Sequence, residues 1–346
     1  MAVTVAINGF GRIGRLVLRA IAEQGRTDLV PAKINASPSM NMDSAAHLFA
    51  YDSAHGRFNG QVEISGNTLT IRHAGKVYGP IPVTFERDPS KLDLSGIDVA
   101  LECTGALTSK EKCAPLLAVG AKKVLISAPG DGVDAMIVYG VNNHDLKPGM
   151  TVISAASCTT NCLAPMAKVL HDNFGILRGY MVTIHAYTND QNTLDGSHRD
   201  PRRARTAAVS AIPTSTGAAR SIGQVMPELK GKLDGTSIRI PVQNVSIVSL
   251  DVNLAKAATK DEVNAAFQDA AKGALRGVLD YNTLPLVGID FNHTAASCTF
   301  DATQTAVVDG ALTRVMGWYD NEWGFSCRML DVAALMGRPS GYIIED

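Results

Sequence analysis

The N-terminal stretch constrains the fold most. Val3-Thr4-Val5-Ala6-Ile7 is an apolar, β-branched run, followed at once by Gly9-Phe10-Gly11-Arg12-Ile13-Gly14 and then by Leu16, Leu18, Ile21 and Ala22 in a helical pattern. Strand, glycine turn and helix in that order predict the first β-α unit of a doubly wound parallel sheet. The glycines have separate tasks: a tight turn, close approach of backbone to a pyrophosphate, and close packing of helix on strand. The N-terminus of the helix then offers unpaired N–H groups to a diphosphate. Glycine spacing alone also suits a structural turn, but its place between the first strand and the first helix favours dinucleotide binding.

An NAD site of this type wants a carboxylate at the end of the second strand, about 20 residues on, for the ribose 2′-hydroxyl. That strand spans residues 29–37, and Ala36 and Ser37 stand where the acid is expected. Nothing there repels a 2′-phosphate, which admits NADP or a relaxed site that takes either cofactor. Pro31 predicts an irregular or edge-like start to this strand. Residues 51–82 alternate short strand-like runs with glycines, as inserted hairpins would. Parallel-strand signals return at 99–102 and 124–127 around a helical segment at 109–119. Ligands of open α/β sheets lie at the carboxyl ends of strands, so Thr104 and Ser127 are candidate neighbours of a nicotinamide ring, with strand capping as the plainer reading.

At 346 residues, 46% hydrophobic and 19% charged, the chain has the size of two domains with substantial cores. The net charge of -1 recruits neither nucleic acid nor anionic membrane. No apolar run is long enough to span a bilayer and no room precedes the first strand for a signal peptide, so a cytoplasmic protein is expected. Six cysteines (103, 113, 158, 162, 298, 327) lack CxxC spacing, which argues against a disulfide framework or a metal site.

The second informative stretch is Ala155-Ala156-Ser157-Cys158-Thr159-Thr160-Asn161-Cys162, between a strand-like run at 150–154 and a helix-like one. Ser157 is a natural N-cap, and a thiol in the first turn feels the positive helix end, which favours thiolate. Local context leaves nucleophile and core packing evenly balanced for Cys158. Leu163, Met166, Leu170 and Phe174 predict a buried helix face, which Pro165 should kink or confine. Cys162 falls on the same face and reads as structural. His185 ends the next strand-like run and could serve the thiol as a base. Residues 185–213 are polar and basic, with Thr188, Arg199, Arg202, Arg203 and Arg205, which suits an anion site or a solvated loop at an oligomer interface. Residues 213–217 add hydroxyls and Arg239 ends another strand-like run; arginine with threonine hydroxyls suits phosphate. Residues 242–254 read as an antiparallel strand, and 318–324 lead into a last helix with Leu330, Val332, Ala333 and Leu335 on its apolar side.

Ile7-Asn8-Gly9-Phe10-Gly11-Arg12-Ile13-Gly14, residues 157–162, His185-Ala186-Tyr187-Thr188, residues 214–218 and residues 318–324 occur in this order. Over nearly its whole length the chain resembles the phosphorylating glyceraldehyde-3-phosphate dehydrogenases. The resemblance implies an α/β Rossmann dinucleotide-binding domain (1–157 and 322–346) and an α+β catalytic domain (158–321) with a mixed, largely antiparallel sheet. It implies a homotetramer, with the 185–213 loop near a neighbouring subunit's cofactor. Carried over by position, Cys158 matches the nucleophile and His185 its base. Thr188 and Arg239 match the site for the substrate's phosphate; Ser157, Thr159, Arg205, Thr216 and Gly217 match the site for attacking inorganic phosphate. Asn321 matches the residue that holds the nicotinamide carboxamide, and Arg12 and Ile13 fall where backbone meets pyrophosphate.

Two departures concern the cofactor. Ala36 replaces the acid of NAD-using members, and Ser197 in Asp195-Gly196-Ser197-His198-Arg199-Asp200 resembles the serine with which NADP-using members reach a 2′-phosphate from a neighbouring subunit. Both point to NADP over NAD. The tail at 336–346 is longer and less helical than the family pattern and carries no cysteine pair. Erythrose-4-phosphate dehydrogenase activity and a non-catalytic binding protein on the same fold are the competing readings.

Overall fold

The computed structural model describes residues 2–338. Two compact units emerge: residues 2–139, 143–156 and 326–338 form the first, and 140–142 with 157–325 the second.

In the first unit, β1 (Val3–Asn8), α1 (Arg12–Glu23) and β2 (Leu29–Asn35) form the expected β-α-β. The apolar positions of α1 repeat so that Leu16, Val17, Leu18 and Ile21 are all fully buried, each worth roughly 1.5–3 kcal/mol of transfer free energy. After α2 (Met42–Ala50) and the small pair β3 (Tyr51–Asp52) and β4 (Gly56–Arg57) comes a meander, β5 (Gln61–Ser65), β6 (Thr68–His73) and β7 (Lys76–Thr84). Then follow β8 (Val99–Glu102), α3 (Lys110–Ala118), β9 (Lys123–Ile126), β10 (Ala135–Met136) and β11 (Val152–Ser154). The nine-stranded sheet has the order β10-β11-β9-β8-β1-β2-β7-β6-β5 and is parallel from β10 through β7.

β2 is a central strand rather than an edge. It is irregular as Pro31 predicts: Val5 pairs with Pro31 and Ala6 with Lys33, so Ala32 is bulged out. On its other side only Ile34 and Asn35 pair with β7, so Pro31 lacks a neighbour there to which an N–H could donate. The hairpins expected within 51–82 are present as the antiparallel pair β3–β4 and the β5–β6–β7 meander, and β7 joins the parallel sheet through Val83 and Thr84.

In the second unit, α4 (Cys158–Phe174) leads to β12 (Ile176–Ala186), β13 (Ile212–Thr214), α5 (Ala218–Val225), β14 (Leu233–Ile240) and β15 (Ser246–Leu254). Next come α6 (Lys260–Lys272), β16 (Leu279–Asn282), β17 (Cys298–Asp301), β18 (Ala306–Val308) and β19 (Leu312–Tyr319). The sheet has the order β13-β14-β12-β15-β19-β17-β16, with β18 beside β19. Five of its seven pairings are antiparallel, so the mixed, largely antiparallel sheet is present. α4 packs on it through Cys162, Leu163, Met166 and Leu170, all without exposed surface.

Three expectations need correcting. α4 runs through Pro165 without starting there. The strand expected from 242 begins at Ser246, because Val245 takes a left-handed φ of +69°, which ends extended pairing. The final helix, α7 (Trp323–Gly337), includes Met336 and Gly337. A Cβ on Gly337 would lie 2.3 Å from Val3 side-chain atoms, so glycine there permits close packing on β1. Residues 339–346 of the expected tail lie outside the described residues. No described helix is long and apolar enough to cross a membrane.

Candidate active site

In the first unit the strand order reverses between β1 and β8, and a groove of about 410 Å³ opens at their carboxyl ends. This is where open α/β sheets bind ligands. Gly9, Gly11, Ala36, Ser37 and Thr104 line it, together with Asn8, Glu86, Arg87 and Cys103. Gly9 and Gly14 are sterically enforced, whereas a Cβ on Gly11 would meet open space. Gly9 has φ +99° and an added Cβ would sit 2.6 Å from the Thr104 nitrogen; a Cβ on Gly14 would sit 2.0 Å from the Gly9 carbonyl oxygen. Ile13 occupies the first turn of α1, and Arg12 beside it forms a two-pronged ion pair with Asp52. Burial opposes the charge of Asp52, but Arg12 and the N–H groups of His55 and Ala54 outweigh it and hold the carboxyl at about 2.

Glycine cradle, groove and helix N-terminus together fit a dinucleotide. At the end of β2, Ala36 is buried and its N–H donates to the Thr84 carbonyl at 2.8 Å. Ser37 and the exposed Arg87 stand nearby on the groove wall. Ser127 is placed differently from Thr104: it does not line the groove, and its N–H donates to the Glu102 carbonyl at 3.0 Å. The Glu102 carboxylate, raised above its usual range by burial, accepts from Asn8 Nδ2 at 2.5 Å and from the Thr104 N–H at 2.8 Å.

Ala156, the last residue of its segment of the first unit, and Ser157, the first of the second, turn the chain into α4. Ala156 holds a left-handed φ of +59°, and Ser157 Oγ accepts from the Thr160 N–H at 3.0 Å, the expected cap. Cys158 is therefore the first helical residue, and its Sγ lies 3.6 Å from Nε2 of His185, near the end of β12. Nδ1 of His185 lies 2.7 Å from the Ala186 carbonyl. Nη1 of Arg239 also lies 3.0 Å from Nδ1; in the tautomer that carries its proton on Nδ1 and donates it to the carbonyl, Nε2 presents its lone pair to the thiol. Arg239 pairs in register with His185 across β12 and β14, and its Nη1 donates to the Ala186 carbonyl at 3.1 Å and to Thr188 Oγ1 at 3.4 Å.

Burial pushes the Cys158 thiol up, while Arg239 and hydrogen bonds from Thr159 pull it down. Burial, then the Arg239 charge, hold the His185 imidazole at about 3. Each group by itself thus resists charging. Transfer of the thiol proton to Nε2 creates opposite charges 3.6 Å apart, an attraction of about 4–5 kcal/mol at an effective dielectric near 20. The geometry permits the transfer, while burial opposes the charge on both groups.

The remaining sequence candidates divide. Thr188 meets Arg239, as above. Thr216 Oγ1 accepts from the Ala218 N–H at 3.2 Å, and Gly217 caps α5. Asn321 is buried, its Oδ1 accepting from Ser246 Oγ at 2.9 Å. Arg205 is exposed and paired with Asp195 at 2.9 Å in a separate open groove of about 710 Å³. Ser197 is exposed on the same loop, its carbonyl accepting from Asn192 at 3.4 Å. Cys162 is fully buried against Met166 and the Gly317 carbonyl, as a packing thiol is.

Sequence reading missed Tyr319, whose ring packs edge-on against His185 with centroids 5.8 Å apart. It also missed Thr183, Glu102 and Arg87. For Thr183 the available signal was position: two residues before His185 on a strand is the same face. Among the described residues no cluster suited to a metal ion occurs.

The family model for the NAD binding domain of glyceraldehyde 3-phosphate dehydrogenase matches residues 3–110, and that for its C-terminal domain matches 157–321. Glyceraldehyde-3-phosphate dehydrogenase from Xanthobacter flavus is 55% identical over 340 residues, covering 98% of this chain and 99% of the relative. The Geobacillus stearothermophilus protein of that name is 51% identical, covering 96% and 98%. Glyceraldehyde-3-phosphate dehydrogenase 1 of Bacillus subtilis is 49% identical, covering 98% and 99%. With identity of this level along both units, the chain belongs to the glyceraldehyde-3-phosphate dehydrogenase family and is an NAD(P)-dependent oxidoreductase acting on an aldehyde group.

Proposed function

We propose that the chain converts D-glyceraldehyde 3-phosphate and inorganic phosphate to 1,3-bisphosphoglycerate through a Cys158 thioester, with NADP as the preferred cofactor. The 3.6 Å approach of Sγ and Nε2 at a helix N-terminus carries the reading. The Cys158 thiolate adds to the aldehyde carbon, giving a hemithioacetal. His185 Nε2 removes its hydroxyl proton as hydride departs, and a thioester remains. The nicotinamide ring supplies the acceptor for that hydride. The Cys158 backbone N–H and the His185 side chain stabilise the developing oxyanion. Phosphate oxygen then attacks the thioester carbon, and the Cys158 thiolate leaves.

Arg239 and Thr188 are assigned to the substrate's own phosphate, which their mutual contact supports. Ser157, Thr159, Thr216, Gly217 and Arg205 are assigned to the attacking phosphate; Arg205 would exchange Asp195 for that anion. Asn321 is assigned to the nicotinamide carboxamide, its orientation set by Ser246. The NADP preference rests on Ala36, with Ser37 and Arg87 beside it, and on Ser197 reaching a neighbouring subunit's cofactor. Leu194 and Val209 on the 185–213 loop are 77% and 71% exposed, which supports burial in a homotetramer.

The test is the absorbance of reduced nicotinamide during oxidation of glyceraldehyde 3-phosphate with each cofactor, with and without phosphate. A phosphate-dependent rise with higher kcat/KM for NADP is expected. No rise with either cofactor rejects the activity, and a clear NAD preference rejects the cofactor reading.

A further inference from the structure

Tyr319 is fully buried at the end of β19, and its hydroxyl is shared between two elements. It lies 2.9 Å from Thr159 Oγ1 in the first turn of α4 and 2.8 Å from Thr183 Oγ1 on β12. Thr183 donates its own proton to the Ile247 carbonyl at 3.1 Å. A hydroxyl has one proton, so Thr183 must accept from Tyr319. The phenol oxygen then has its lone pairs for the proton of Thr159. Burial keeps the phenol protonated, well above its usual range, so it remains a donor.

Both tethered threonines adjoin the reacting pair. Thr159 follows Cys158 in the first turn of α4. Thr183 precedes His185 by two residues and shares its face of β12. The Tyr319 ring meets the imidazole edge-on, with an interplanar angle of 74°. We infer that Tyr319 is a positioning residue for the thiol–imidazole pair: it clamps the first turn of α4 to β12 through Thr159 and Thr183 and braces the His185 ring. This rests on the assignment of Cys158 and His185 made above. Without the clamp, the Thr159 oxygen loses its anchor and the separation of Sγ and Nε2 is no longer fixed from both sides.

The test is the pH dependence of Cys158 alkylation by iodoacetamide, read together with kcat and KM. The charged and titratable groups around the thiol are His185 on β12, Arg239 on β14, Tyr319 on β19 and Cys162 within α4. Tyr319→Phe retains the ring and removes the clamp. The expected result is an alkylation midpoint at least half a pH unit higher and kcat about tenfold lower, with KM for glyceraldehyde 3-phosphate changed less than twofold. Thr183→Val breaks the same clamp from the other side and should shift the midpoint in the same direction, which protects the test if the first variant folds poorly. Midpoints and kcat in both variants equal to those of the parent would overturn the inference. Cys158→Ser is measured alongside: turnover surviving in that variant refutes the nucleophile assignment itself, a different outcome from parent-like Tyr319→Phe.

Discussion

Nε2 of His185 faces Sγ of Cys158 at 3.6 Å, with the imidazole delivered by the penultimate residue of β12 and the thiol by the first residue of α4. His185→Asn keeps a polar side chain but removes the base. We expect kcat to fall on the order of 10²–10⁴-fold, the usual worth of a positioned general base. Alkylation of Cys158 at pH 7 should slow in parallel, measured by mass spectrometry of the labelled peptide. Unchanged alkylation would separate His185 from activation of the thiol.

Ala36→Asp adds a carboxylate at the end of β2, in a groove whose wall already carries Glu86. Facing a 2′-phosphate a few ångströms away at an effective dielectric near 20, it costs about 3 kcal/mol. The kcat/KM for NADP should fall on the order of 10²-fold while that for NAD holds or rises, in steady-state kinetics with both cofactors. Equal losses for the two would mean that Ala36 does not discriminate between them.

Gly14→Ala puts a methyl 2.0 Å from the Gly9 carbonyl oxygen, and backbone at both ends leaves little to relax. Cofactor binding, followed by fluorescence titration, should be lost or weakened beyond about 100-fold, a price of roughly 3 kcal/mol for moving α1 off β1. Parent-like affinity would exclude close helix–strand packing as the reason for this glycine.

Arg239→Lys keeps the charge but not the guanidinium that reaches Ala186 and Thr188 together. Loss of charge-assisted bonds to the substrate phosphate, about 1.5–3 kcal/mol, should raise KM for glyceraldehyde 3-phosphate roughly 10–100-fold. KM for the cofactor should change little in the same assays.

The Arg12–Asp52 pair gives the first unit an acid limit. Asp52 is held at about 2 in the fold against the ordinary aspartate value of 3.8. Its contribution, about 1–2 kcal/mol after allowance for the partly exposed Arg12, is therefore full above pH 4. It is lost as the pH falls through 2. In Asp52→Asn, denaturant midpoints should be lower than those of the parent at pH 6 and converge with them toward pH 2. A constant gap across that range would assign the effect to something other than this carboxylate.

Local patterns make much of the molecule legible in the sequence. The β1–α1 unit, the Ser157 cap and the alternating strands follow from periodicity and capping chemistry, which act over a few residues and leave their mark in order along the chain. The strand start at Ser246 was not legible, because the left-handed φ of Val245 depends on neighbours that the sequence does not put nearby. Arg205 is exposed and ion-paired, and Ser127 stands off the groove wall, facts of side-chain direction that no spacing encodes.

The sequence by itself determined the family, through five ordered motifs, and the identity of the thiol and imidazole candidates. Only the tertiary structure decided that they meet. Residues 27 positions apart reach 3.6 Å because β12 returns alongside the start of α4, and Arg239 joins them through a parallel register with β12. The Tyr319 clamp is of the same kind: its three hydroxyls come from α4, β12 and β19, and hydrogen bonds across 136 and 160 residues leave no periodic trace in the chain.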